Sequence, residues 1–187
     1  MIKEIVTIVE RCMACKSCEV ACAVEHSAGK QLLAALAEEP RPEQRVRVKP
    51  AVGFSYPVRC MHCENAPCLI ACPTGAIQRH PVTDSVFVDE NRCIGCWMCV
   101  MVCPFGAVTA NRSYTKALKC DRCPDRVAAG RDPACVEACP TRALLFVPIT
   151  EMTEQLQAAT AARAVAAMAA AQAPANIQFY RTLKGAL

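Results

Sequence analysis

The chain has 187 residues, a formal net charge of +4 from 21 Lys and Arg against 17 Asp and Glu, and 16 cysteines. That length suits one or two small domains, and that cysteine content lies far outside ordinary usage. The small positive balance counts cysteine as neutral, so it does not point to nucleic acid, and no stretch is long and apolar enough to span a bilayer.

The chain opens on Lys3–Val9, an Ile- and Val-rich stretch that reads as a strand. It reaches Cys12 with no apolar leader, twin arginine or small-residue cleavage site. The expectation is a cytoplasmic protein with reduced thiols, unless an exported partner carries it out. Cys12, Cys15, Cys18 and Cys22 form a first quartet with the spacing C-x2-C-x2-C-x3-C. Gly29 to Pro50 reads as an insertion, with a short helix at Gln31–Glu38, a proline-punctuated connection and a strand at Val46–Lys49. Arg41, Arg45, Arg47, Lys49 and Arg59 read as a solvated basic face, the alternative being a docking surface for an acidic partner.

Cys60, Cys63, Cys68 and Cys72 form the second quartet, its middle gap opened to four residues. A strand at Ser85–Val88 leads into the third, Cys93, Cys96, Cys99 and Cys103, which repeats the first spacing. The fourth, Cys120, Cys123, Cys135 and Cys139, opens its middle gap to eleven residues, and a strand at Leu144–Val147 follows. From Glu151 to Ala171 the sequence is alanine-rich and predicts a helix of about 30 Å, N-capped by Thr150, with Glu151 in its first turn, and stopped by Pro174.

Sixteen cysteines admit disulfides, zinc or iron–sulfur clusters. Zinc sites pair C-x2-C units across a longer spacer. Three cysteines in close succession and a fourth before proline depart from that layout and fit a cubane cluster. The run after the last cysteine also repeats: Cys72-Pro73-Thr74-Gly75-Ala76-Ile77, Cys103-Pro104-Phe105-Gly106-Ala107-Val108 and Cys139-Pro140-Thr141-Arg142-Ala143-Leu144. Only Cys22 breaks it, being followed by Ala23. The proline is expected to end the short helix that carries its cysteine. His62 reads as a packing residue near ligands, His26 and His80 as surface or capping residues, and Trp97 and Met98 as covers over a cluster. No G-x-G-x-x-G, P-loop or H-E-x-x-H occurs, and all sixteen thiols are committed. Substrate chemistry is therefore expected on another chain, and this one is expected to be non-catalytic.

Val9 to Val147 resembles the four-cluster, ferredoxin-like electron-transfer subunits of bacterial multi-subunit oxidoreductases. The resemblance is carried by Arg59-Cys60-Met61-His62-Cys63-Glu64-Asn65-Ala66-Pro67-Cys68, by Cys93-Ile94-Gly95-Cys96-Trp97-Met98-Cys99 and by the eleven-residue gap of the fourth quartet. Relatives serve formate dehydrogenases, formate hydrogenlyase, carbon monoxide dehydrogenase and dimethyl-sulfoxide-reductase-type enzymes. The sequence looks most like the small subunit of tungsten aldehyde oxidoreductases.

The resemblance implies an α+β fold of tandem bacterial-ferredoxin-like modules over residues 1–149, with the first quartet paired with the fourth and the second with the third. Residues 150–187 would form a helical tail. It implies four [4Fe–4S] clusters, held by Cys12, Cys15, Cys18 and Cys139; by Cys22, Cys120, Cys123 and Cys135; by Cys60, Cys63, Cys68 and Cys103; and by Cys72, Cys93, Cys96 and Cys99. The implied role is relaying single electrons between a catalytic subunit, of the tungsten or molybdenum pterin aldehyde oxidoreductase type, and a flavin- or NAD-linked redox subunit. The alternatives are a partner of carbon monoxide dehydrogenase, hydrogenase or formate dehydrogenase, a free polyferredoxin, and a zinc-stabilised interaction module. The tail is expected to dock on another subunit or on a second copy, where an open head-to-tail contact would build a filament.

Overall fold

The computed structural model describes residues 3–169. Its elements are brief because the chain turns back toward a cysteine every few residues. β1 (Lys3–Thr7) leads through one 3-10 turn at Val9–Arg11 into α1 (Ser17–Glu25). α2 (Leu32–Ala37) follows, then β2 (Arg47–Ala51) and β3 (Phe54–Val58). Next come α3 (Pro67–Ile70), β4 (Ile77–Arg79), β5 (Val86–Val88), α4 (Met98–Met101), β6 (Val108–Ala110) and β7 (Ala117–Lys119). α5 (Pro124–Ala128), α6 (Ala134–Glu137), β8 (Leu144–Pro148) and α7 (Ile149–Ala169) complete the order.

The strands form four two-stranded sheets among the described residues, β1 with β8, β2 with β3, β4 with β5 and β6 with β7. β2 and β3 are antiparallel with Arg47 opposite Val58; β4 and β5 set Ile77 opposite Val88; β6 and β7 set Val108 opposite Lys119. The expected strands at the N-terminus, before Cys93 and after Cys139 form with ends shifted by a residue or two.

Three helices are only four residues long, and each carries the third cysteine of its quartet: Cys68 on α3, Cys99 on α4 and Cys135 on α6. The residue before proline is pushed out of the α region. The helices accordingly stop at Ile70, Met101 and Glu137, and Cys72, Cys103 and Cys139 lie just past their ends rather than on them. No proline follows Cys22, so α1 runs through that cysteine to Glu25.

Two larger apolar clusters, with a small third around Ala107, form the interior. One gathers Ala66, Ala76, Ile77, Val86, Val108 and Ala117 around Cys68, Cys93 and Cys99. The other gathers Ile5, Val46, Val136, Leu144 and Phe146 around Cys18, Cys22 and Cys135. α1 packs on α6, α3 on α4, and β5 lies beside β7. The ends of the cysteine-bearing chain thus fold together, as do its middle elements.

The chain divides into two compact units after Phe146. In the second unit α7 spans 21 residues, about 30 Å of helix. Alanine's propensity accounts for it, since its described side chains are mostly exposed. Glu151 sits in the first turn as expected, but the helix begins at Ile149, so Thr150 lies inside the turn and not at the N-cap. Ala170, Ala171 and the expected stop at Pro174 lie outside the described residues. No described helix is long and apolar enough to cross a membrane.

Candidate metal centres

All four cysteine loops share one backbone device. The second residue after each quartet's first cysteine is left-handed: Ala14 (φ 58°), His62 (φ 48°), Gly95 (φ 69°) and Arg122 (φ 69°). Non-glycine residues hold that conformation at a cost of about 1 kcal/mol or more each. The turn swings an amide toward sulfur: the N–H of His62 donates to Cys60 Sγ at 3.3 Å, and that of Arg122 to Cys120 Sγ at 3.4 Å. Gly95 has no substitute, because a Cβ there would stand 2.6 Å from the Thr115 carbonyl oxygen.

The repeated run after the last cysteine does a related task. Its third residue is left-handed in each copy, Gly75 (φ 60°), Gly106 (φ 57°) and Arg142 (φ 51°). The next N–H then returns to the sulfur, from Ala107 to Cys103 at 3.4 Å and from Ala143 to Cys139 at 3.2 Å. Cys22 lacks this run. Its sulfur takes the N–H of Arg45 at 3.2 Å instead, so the insertion supplies what the missing proline turn does not.

The cysteines meet in sets that mix quartets. Cys60, Cys63, Cys68 and Cys103 line one pocket with Met61, Phe105 and Val86. Cys72, Cys93, Cys96 and Cys99 line another with Ile94, Trp97 and Ile77. Cys135 lies within electrostatic reach of Cys120, Cys22 and Cys123, and Cys18 within reach of Cys15 and Cys139. Burial pushes the thiols of Cys18 and Cys99 up to about 11 and that of Cys123 to about 12; Cys22, Cys120 and Cys135 also rise. A metal must therefore displace protons from these thiols to bind. All-sulfur sets of four, ringed by backbone N–H donors and apolar walls, fit an iron–sulfur cluster.

The flanking residues divide. His62 is buried and accepts the Val86 N–H at Nδ1 (2.9 Å). Burial, with Lys119, Arg122 and Arg59 nearby, presses its pKa to about 2, so it packs as a neutral ring. His80 caps a turn, accepting the N–H groups of Val82 and Thr83 at 3.3 and 3.2 Å. His26 is less of a surface residue than expected: Nδ1 donates to the Cys22 carbonyl at 2.7 Å and Nε2 to both oxygens of Asp121 at 3.2 Å. Trp97 covers a cysteine pocket as expected, whereas Met98 is exposed and lines neither pocket. The solvated basic face holds for Arg41 and Lys49. Arg45 instead pairs with Asp121, and Arg59 is buried, donating to the carbonyls of Ile5 and Cys60. Sequence alone does not single out Asp121, Lys119 or Arg122: a basic residue directly precedes the first cysteine of every quartet, Arg11, Arg59, Arg92 and Lys119, and nothing in the spacing marks which of them are buried.

Among known proteins, a family described as a 4Fe-4S dicluster domain matches residues 52–149, and a 4Fe-4S binding domain matches residues 9–25. The protein belongs to the 4Fe-4S dicluster family. The chain binds [4Fe–4S] clusters. It is 44% identical over 154 residues to an iron-sulfur protein of Rhodospirillum rubrum, covering 75% of this chain and 79% of the relative. It is 43% identical over 143 residues to the thiosulfate reductase electron transfer subunit PhsB of Salmonella typhi, covering 76% and 73%. It is 37% identical over 150 residues to the B subunit of the anaerobic dimethyl sulfoxide reductase of Escherichia coli (strain K12), covering 78% and 73%.

Proposed function

We propose that the protein is a non-catalytic electron-transfer subunit that relays single electrons for a separate catalytic oxidoreductase subunit. Four cysteine sets hold its clusters: Cys12, Cys15, Cys18 and Cys139; Cys22, Cys120, Cys123 and Cys135; Cys60, Cys63, Cys68 and Cys103; and Cys72, Cys93, Cys96 and Cys99. The observation that carries this reading is the mixing of quartets in the two pockets, where Cys103 joins Cys60, Cys63 and Cys68, and Cys72 joins Cys93, Cys96 and Cys99. The packing of α1 on α6 and of α3 on α4 supports two tandem modules of two clusters each. Bound [4Fe–4S] clusters supply one-electron carriers whose potentials follow charge, hydrogen bonds to sulfur and exposure.

The chain positions those carriers and shields them. Cys15 and Cys96 are exposed, one in each of two sets, and no cysteine of the other two sets is exposed. The sets containing Cys15 and Cys96 therefore serve as the terminals, and the other two as the interior of the relay. Relatives named for thiosulfate and dimethyl sulfoxide reductases support a separate catalytic reductase subunit as partner; a molybdenum or tungsten pterin centre on it, an aldehyde oxidoreductase identity and a flavin- or NAD-linked second partner rest on the sequence resemblance.

Anaerobic purification with metal analysis tests the reading. The expected product is brown, carries about 16 irons per chain, and comes with a larger subunit containing molybdenum or tungsten. A colourless, zinc-containing protein would end the cluster assignment. An iron-loaded protein that elutes alone at its own 20.2 kDa would make it a free carrier.

A further inference from the structure

Each quartet's first cysteine directly follows a basic residue, Arg11, Arg59, Arg92 or Lys119, and of these Arg11 and Arg92 are exposed while Arg59 and Lys119 lie inside. Cys60 and Cys120 share a buried cluster with Ala107, against which Cys103 packs. Loops of the two interior sets therefore meet here. Both cations are buried, Arg59 to 4% exposure and Lys119 to 3%. Lys119 Nζ donates to the carbonyls of Val86 and, at 3.0 Å, Cys120. Arg59 donates to the carbonyls of Ile5 and, at 3.3 Å, Cys60.

Among the described residues no carboxylate hydrogen-bonds to either cation. Glu4 feels the charge of Arg59, but both its oxygens are taken by Arg122 at 2.7 Å. Removing a cation from water costs several kcal/mol, which carbonyl dipoles offset only in part. The groups within reach that would carry negative charge are the cysteine sulfurs, once they hold a cluster. Lys119 acts on Cys68 and Cys120, and Arg59 on Cys135. Each cation thus sits against both interior sets. Lys116 makes a comparable contact, donating to the Cys93 carbonyl at 2.6 Å, but it is only part-buried and water screens it.

We infer that Arg59 and Lys119 set potentials: as buried charges shared by the Cys60–Cys63–Cys68–Cys103 and Cys22–Cys120–Cys123–Cys135 centres, they raise the reduction potential of both. Reduction adds one electron from the redox partner, and so one negative charge, with no bond made or broken. A fixed cation in a low-dielectric site favours the reduced form over the oxidised one. The two positions make the junction between modules a resting place for the electron. The inference depends on the ligand sets proposed above.

The test is a redox titration of the anaerobically purified full chain, followed by electron paramagnetic resonance, for Lys119→Gln, Lys119→Arg, Arg59→Gln and the exposed control Lys49→Gln. Lys119→Gln and Arg59→Gln are each expected to shift two of the four signals to lower potential. The other two should stay in place, Lys119→Arg should restore the wild-type values, and Lys49→Gln should change nothing. Unchanged midpoints in a variant with full iron overturn the inference and leave the ligand sets standing. Iron loss from Lys119→Gln shifts the reading to Arg59→Gln. Iron loss from both assigns the cations to folding and overturns it. A wild-type protein without iron fails the earlier reading instead.

Discussion

Asp121 lies between the ligand candidates Cys120 and Cys123 and gathers three donors. Arg45 pairs with it, His26 Nε2 donates at 3.2 Å and the Cys123 N–H donates at 2.9 Å. Burial pushes its carboxyl up, but the His26 hydrogen bond and the Arg45 charge outweigh this and hold it well below the usual carboxylate range. A depressed carboxylate contributes stability above its unfolded value of about 4 and loses it only as pH falls through the lower folded value. The Asp121 carboxylate therefore stays ionised throughout the neutral range. Asp121→Asn at pH 7 strands Arg45, whose N–H also serves Cys22 Sγ. Charged hydrogen bonds are worth about 1.5–3 kcal/mol each, so a loss of about 2–3 kcal/mol is expected, read as an earlier guanidinium midpoint for cluster bleaching. Neither Asp121 nor the burial of Arg59 was legible in the sequence. A basic residue beside prolines and other basic residues reads as surface, and only the tertiary meeting of two loops puts Arg59 inside.

At the scale of elements, the cysteine spacing announced the loops, and β1, β5 and β8 were legible because runs of Ile, Val and Leu border them. β4, β6 and β7 were not: three residues are too few for a period-two pattern, and their partners are set by the loops they close. The missing proline after Cys22 was legible as a departure, but its remedy lay in Arg45, a residue of the insertion. α7 was legible from alanine content alone, since propensity needs no tertiary partner. Its exposed Ile149, Leu156 and Val165 follow no buried face, which suits docking on another protein or copy. Deleting residues 151–187 is expected to leave iron content intact, because the cysteine-bearing unit closes at Phe146. It is also expected to lower the particle mass in light scattering by more than the deleted residues. A mass reduced only by those residues would remove self-association through the tail.

Across the whole cysteine-bearing unit, the proposed ligand sets turn on the fourth cysteine of each quartet leaving its own loop. The short helix before each Cys–Pro pair aims the chain away from the three sulfurs just laid down, and α3 against α4 places that cysteine at the neighbouring loop. Each centre then ties together segments distant in sequence, as Cys63 and Cys103 do in one pocket. Metal binding and tertiary folding become one process, since neither loop alone completes a site. Spacing alone leaves open whether Cys103 completes its own quartet or the second, and substitution separates the two. Cys103→Ser and Cys63→Ser are expected to alter the same electron paramagnetic resonance signal of the reduced protein, while Cys96→Ser alters a different one. If Cys103→Ser and Cys96→Ser change one shared signal, the exchange fails, each loop holds its own cluster, and the packing of α3 on α4 is only scaffolding.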